Sequence, residues 1–266
     1  MFVRIRFSKF GVIKFIGHLD MMRYFQKAVR RSGLQIKYSQ GYSPHQLMVF
    51  ASPLGVGITS DGEIMDIEIE DTAPECSMAN PAEAVADTLS KGLTEGVEIV
   101  SAKIIPWTEG EKHPDNAMSL VTAADYLVSL KDGYDLKLTD GTVADAGYLR
   151  EKFEKYIALG EHVVEKKTKS GVKELDVKPY IYEFDCITDK SQKSYKAEDI
   201  RFRHADIYES GIRFVMKLAA GSSINIKPEL IMEDFCSFAG IEYNGFAFQI
   251  HRGAMYTDDN GEKVLL

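Results

Sequence analysis

Hydrophobic and polar positions alternate from the first residue. Met1, Val3, Ile5 and Phe7 fall on one side and Arg4 and Arg6 on the other, which predicts a half-buried strand. The period then changes. Over residues 18 to 32, Leu19, Met22, Phe25 and Val29 recur at helical spacing, Arg23, Lys27, Arg30 and Arg31 take another side, and Gly33 supplies a stop. This predicts an amphipathic helix with a basic flank. "LQIKYSQ" (34–40) reads as a second strand, followed by a loop marked by Gly41, Pro44, Pro53, Gly55 and Gly57, with an apolar "LMVF" inside it. "EIMDIEIE" (63–70) sets Met65, Ile67 and Ile69 against Asp66, Glu68 and Glu70, a strand with an acidic face. Asn80, Pro81 and Glu83 have the arrangement of a capping box, so a helix should run to about Lys91, and "VEIVSAKII" closes the unit as a strand.

The order strand, helix, strand, strand, helix, strand over residues 1–107 is the ferredoxin-like, or split βαβ, pattern. "TEGEKHPDN" is polar, and residues 108–118 read as a linker. Beyond it, "ADYLVSL" predicts a strand, "VADAGYLREKFEKYIAL" a helix, and "HVVEKKTKSGVKELDV" two strands around Ser170-Gly171. "GIRFVMKLAA", "KPELIMEDFCSFAG" and "FAFQIHR" follow as strand, helix and strand. With an irregular insertion near 179–210 set aside, residues 119–266 repeat the order. The expected class is α+β, two tandem ferredoxin-like (βαββαβ) units.

At 266 residues and 45% hydrophobic, the chain can bury a sizeable core without staples. Cys76, Cys186 and Cys236 belong to no short-spaced ligand set and are expected as buried apolar thiols in a reducing cytosol. No apolar run approaches the roughly 18 residues that span a bilayer, and Met1 leads straight into the alternating segment, so no membrane association and a cytoplasmic location are expected. Charge changes the picture more. Residues 1 to 50 carry nine Lys or Arg against Asp20, a balance of plus 8, and the remainder carries minus 16. Such asymmetry can draw an anion to one place while the acidic remainder limits indiscriminate binding, although a solvated helix face would look the same.

There is no dinucleotide fingerprint, P-loop, HExxH, GxSxG or iron-sulfur cysteine cluster. The strongest constellation runs from His18 and Asp20 through Arg23, Lys27, Arg30 and Arg31 to Tyr38, Gln40, Tyr42 and His45. Basic groups on one helical face suit phosphates, and the tyrosines and histidines can stack on bases or hydrogen-bond them. Each ring can equally be locally bonded or packed, and Asp20 reads as a first-turn acid favoured by the helix dipole. A lysine-rich hairpin (Lys166, Lys167, Lys169, Lys173, with Lys178 just beyond) and the Gly221–Leu230 segment with Lys227 are further candidate anion contacts. Edge protection of a strand and an ordinary strand-to-helix turn are the alternatives.

The residues "RIRFSKFGVIKFIGHLDMMRYFQKAVRRSGLQIKYSQGYSPHQ", continuing through "SPLGVGITSDGEIMDIEIE", closely resemble the radical SAM-linked family of uncharacterised bacterial proteins. The family pattern is matched by GHLD at 17–20, Arg30-Arg31, Tyr38–Tyr42, Pro44-His45 and Pro53–Gly57. Members occur free or fused behind a cobalamin-binding radical SAM protein, often near genes for ribosomal proteins and a ribonuclease. The resemblance implies an accessory role in handling RNA or another substrate for a radical SAM partner. The iron-sulfur cluster and S-adenosylmethionine would belong to that partner, since this chain has no cluster-binding cysteine triad and no cofactor of its own is expected. Two other functions remain open. One is a metal-independent endoribonuclease, similar to the tandem ferredoxin-like CRISPR RNA-processing proteins, with His18 or His45 as acid-base group and Tyr38 or Lys37 steadying the phosphate. The other is a protein-interaction scaffold using the acidic strand.

Overall fold

The structure, a computed structural model, describes residues 1–108, 111–168, 171–188 and 199–266, without the side chains of 166–168 and 172. It is α+β. The chain divides into two compact units, one of residues 1–122 with 254–266 and one of residues 123–253, so the final residues group with the first unit.

The first unit contains β1 (Phe2–Lys9), α1 (His18–Ser32), β2 (Met48–Phe50), β3 (Thr59–Glu68), α2 (Pro81–Ser90), β4 (Val97–Ile104) and α3 (Ala117–Leu120). The order is β4-β1-β3 with β2 on the other side of β3, and the β1–β3, β1–β4 and β2–β3 pairs are antiparallel. Val3, Ile5 and Phe7 of β1, Met65 and Ile67 of β3, Met21, Phe25, Ala28 and Val29 of α1, and Val85 and Leu89 of α2 form one core. Gly92 lets the helices meet closely, because a Cβ there would stand 2.1 Å from the Ala28 carbonyl oxygen.

β1 is buried on both faces, not one. On the face away from α1 and α2, Arg4 donates from Nε and Nη2 to both carboxylate oxygens of Asp66 at 2.8 and 2.9 Å, and both side chains are nearly inaccessible. The same carboxylate accepts the Ala117 N–H at 2.6 Å, and Arg4 also donates to the Asp115 carbonyl. Within the segment expected as a linker, Ala117 is therefore buried and the backbone of Asp115 and Ala117 is tied to this pair, while His113, Asp115 and Met118 keep exposed side chains. The segment's polar composition reflects backbone and ionic anchoring, which a count of polar residues cannot tell from solvation.

Two strand expectations change. Residues 34–40 form only isolated bridges, Ile36 to Ile69 and Tyr38 to Gln46, and the strand lies instead in the apolar "LMVF". Asn80 does begin α2, but its side chain bonds the Glu83 carboxylate at 2.7 Å and caps no backbone N–H.

The second unit contains β5 (Ala123–Leu130), α4 (Ala146–Ile157), β6 (Val163–Thr168), β7 (Gly171–Asp176), β8 (Ile181–Ile187), β9 (Arg213–Ala219), α5 (Pro228–Ala239) and the first half of β10 (Phe248–Asp259); β11 (Glu262–Leu265) pairs with the far end of β10. The order is β10-β5-β9-β8. β6 and β7 pair only with each other, as a two-stranded sheet. Residues 181–187, placed by the sequence within an irregular insertion, supply the sheet strand instead. Only Ile187 of β8 is fully buried, the mark of an edge strand whose weak alternation hides it. Asp145 caps α4 by accepting the Tyr148 N–H at 2.8 Å. Phe153, Phe184, Phe214 and Phe235 stack edge-on or tilted in the core between α4, α5, β8 and β9.

Cys236 is buried, whereas Cys76 and Cys186 are only partly so. Among the described residues no helix is long and apolar enough to cross a membrane.

Asp66→Ala should destabilise the protein by about 3–5 kcal/mol in urea unfolding, because it strands the buried Arg4 guanidinium. A loss below about 1 kcal/mol would show that the pair is not what holds this face of the sheet.

Candidate nucleic-acid interface

α1 is set in place from its N-terminal side. The buried Lys9 donates from Nζ to the Ile16 carbonyl at 2.8 Å and the Lys14 carbonyl at 3.4 Å, tying down the turn at Gly11–Phe15. Gly17 is the N-cap, in extended conformation, and Gly33 ends the helix at φ 77°, a left-handed geometry that suits glycine. The buried face is Met21, Phe25, Ala28 and Val29, rotated from the stripe expected from sequence. Leu19 is 66% exposed and Met22 only partly buried. The substitute is Met21, which a stripe begun at Leu19 passes over.

Arg23, Lys27, Arg30 and Arg31 all lie on exposed positions of α1. Their situations differ. Arg23 pairs with Asp20 at 2.9 Å, with both groups well exposed, a contact worth little in water. Arg31 donates to the Gly92 carbonyl at 2.6 and 3.1 Å and lies over Tyr24, so it secures the end of α2. Among the described residues, Lys27 and Arg30 have no ion pair. Arg23, Gln26 and Arg30 are spaced three and four apart and share one stripe, with Lys27 beside it.

The loop from Lys37 to Leu47 closes as a tight hairpin. The Ser39 N–H donates to the His45 carbonyl at 2.8 Å, the Leu47 N–H to the Lys37 carbonyl at 2.9 Å, and the Ser39 hydroxyl meets His45 Nδ1 at 2.8 Å. At its base Lys37 donates to Asp71 Oδ2 at 2.9 Å, which raises the lysine above its ordinary value; this bond and then the Met1 amino group, 2.8 Å from Asp71 Oδ1, lower Asp71 to about 2. The tip, Gln40 to Pro44, is exposed throughout, and the Tyr42 ring is fully in solvent. Buried Gln46 joins loop and helix: its Nε2 lies 3.3 Å from the Tyr38 hydroxyl and 3.5 Å from the Gln26 carbonyl. Tyr38, 46% exposed, is thereby linked to the α1 backbone at Gln26.

The remaining candidates do not converge. His18 stands edge-on to Phe50, 5.7 Å between centroids, in a small pocket with Lys9, Met21, Leu54 and Glu63. His45 lines a different cavity, with Phe2, Asp66, Glu68 and His113. His18 and His45, close in the sequence, are thus not brought to one pocket. The acidic strand is largely occupied within the fold: Asp66 by Arg4 and Ala117, Glu68 by His113 Nε2 at 3.1 Å. In the second unit, Lys173 is exposed on β7 and Lys227 is the exposed N-cap of α5 beside a cavity. Lys169 and the side chains of Lys166 and Lys167 lie outside the described residues. Gln46, Gln26 and Ser39 escaped the sequence reading, since glutamine and serine carry no signal until the loop path is known. Among the described residues, no group of three or more His, Cys, Asp or Glu is arranged to hold a metal ion.

The fold and this surface define an α+β protein with an exposed basic flank on α1 and a neighbouring loop that carries Tyr42 at its tip. Residues 3–228 match the family described as "Uncharacterized protein conserved in bacteria (DUF2344)", and the chain belongs to that family. No curated protein matches it.

The Asp71 pair gives a pH test of the loop anchor. A carboxyl held at about 2 instead of 3.8 contributes stability above its unfolded value that is lost as pH falls from 3.8 towards 2. Thermal unfolding across that window should therefore decline more steeply for the native chain than for Asp71→Asn. Parallel curves would mean that Asp71 is paired in solution with neither Lys37 nor the Met1 amino group.

Proposed function

We propose that this protein is an accessory substrate-recognition protein that holds RNA on the α1 and loop surface while a separate radical SAM enzyme acts on it. The observation that carries the RNA reading is the juxtaposition built by Gln46. Among the described residues Lys27 and Arg30, on the exposed side of α1, have no ion pair; buried Gln46 links the Tyr38 hydroxyl to the α1 backbone at Gln26, and the exposed Tyr42 stands at the tip of the same loop. Cations at helical spacing track phosphates, and aromatic faces accept unpaired bases without demanding a sequence. The motif resemblance supports the radical SAM partner. The strand orders β4-β1-β3-β2 and β10-β5-β9-β8 support reading both units as ferredoxin-like.

The nuclease reading fares worse. His18 and His45 line separate pockets, so either would have to act without the other, and Lys37, one of the two groups offered to steady the phosphate, is engaged by Asp71.

Binding of an oligouridine probe tests the RNA half. Lys27→Gln with Arg30→Gln should weaken binding about tenfold and flatten the salt slope by about 1.4, two phosphate contacts at about 0.7 each. Tyr42→Ala should cost about 1–3 kcal/mol with the slope unchanged, as stacking does. Affinity and slope untouched by the double substitution would refute the assignment. Anaerobic isolation of the tagged chain from its own bacterial lysate tests the other half: an iron-sulfur protein should co-purify, and a complex free of iron would remove the radical SAM partner from the proposal.

A further inference from the structure

β4 is the last strand of its sheet: β1 pairs with one side, and among the described residues no strand pairs with the other. An open edge of eight residues, with Ile104 40% exposed at its end, is a place where another strand can add.

The pairing with β1 fixes which way each β4 side chain points. Ile99, Ala102 and Ile104 stand opposite Phe7, Ile5 and Val3, and with the core residue Val97 they face the helices. Glu98, Ser101 and Lys103 stand opposite Ser8, Arg6 and Arg4, on the other face. Arg6 and Phe7 are neighbours on β1 but oppose Ser101 and Ile99, so Val100 is the extra residue of a bulge. In a regular strand Glu98 and Lys103, five positions apart, would point to opposite faces. The bulge puts both on one face, and both are exposed.

β4 is in consequence complementary to itself. Laid antiparallel on a second β4 about a two-fold axis between Val100 and Ser101, it sets Glu98 against Lys103, Ile99 against Ala102 and Val97 against Ile104, each twice and each on a matching face. Lys103 is suited to receive the acid. Among the described residues it forms no ion pair, and burial, followed by the Arg4 guanidinium, holds its amine below the ordinary lysine value. A lysine and a bulge ordinarily blunt an edge against pairing; here they fall in phase with a second copy.

We propose that β4 is a self-pairing edge, and that two copies of this chain join along it into a symmetric dimer whose sheet runs through both. The proposal is independent of the RNA surface, and so is its test. Sedimentation velocity of the full chain at rising concentration should show a reversible monomer–dimer equilibrium. Glu98→Lys sets lysine against lysine twice and should weaken the dimer about tenfold, as should Lys103→Glu. Glu154→Lys, the same charge change at an exposed position of α4, should leave it unchanged. Mixed in equal amounts, the Glu98→Lys and Lys103→Glu chains should form a heterodimer tighter than either forms alone, because every pair in it is again opposite in sign. If Lys103→Glu melts early beside the Arg4–Asp66 fork, Lys103→Gln replaces it, and should still bind the Glu98→Lys chain more tightly than that chain binds itself. A protein that stays monomeric to its solubility limit, a dimer indifferent to Glu98→Lys, or single variants that recover no affinity on mixing would overturn the proposal.

Discussion

The Arg4–Asp66 fork is the constraint on which the first unit depends. The two residues are direct cross-strand partners, so their bidentate contact fixes the register of β1 on β3. A slip of one residue would turn Val3, Ile5 and Phe7 away from α1 and bring Arg4 to the apolar core. The pair lies beneath α3, whose first N–H completes the carboxylate. Desolvating two charges is costly, and the geometry repays it by leaving few lone pairs of Asp66 unused. With the register fixed, the core face is fixed, and α1 must turn Met21, Phe25, Ala28 and Val29 inward. Its other side is then the one that carries Arg23, Lys27 and Arg30.

This arrangement also explains why the basic concentration in the first fifty residues overstates the positive surface. Arg4 is in the fork, Arg6 donates to the Asp61 carbonyl, Lys9 ties the turn before α1, Arg31 holds the end of α2, and Lys37 anchors the loop on Asp71. Arg23 is partly neutralised by Asp20. Most of the charge thus serves the fold. What remains available to an anion is narrow, and Gln46 links Tyr38 to the same helix.

Much of this was legible from periodicity. The bounds of α1, both long helices of the second unit and the strands β3, β4, β5 and β9 follow from hydrophobic spacing with Gly, Pro and Asn punctuation. Apart from the cap at Asn80 and the rotated stripe of α1, the failures share a cause: each turned on a partner distant in sequence. β2 is a three-residue strand recognisable only by its place on β3, and β8 is an edge strand with weak alternation. The anchoring of Ala117 depends on a carboxylate some fifty residues earlier. Within the site, the basic and aromatic residues were visible, but which cations are engaged by backbone carbonyls was not, nor that His18 and His45 face different pockets.

The α1 and loop surface is the centre of this account, and the most direct measurement of it is ultraviolet crosslinking of the native protein to oligouridine, with the adducts located by mass spectrometry. The account predicts adducts on Tyr42 and Tyr38 and on the α1 peptide that follows Arg23. Adducts confined to residues 123–253, or a protein that crosslinks nowhere at low salt, would contradict it.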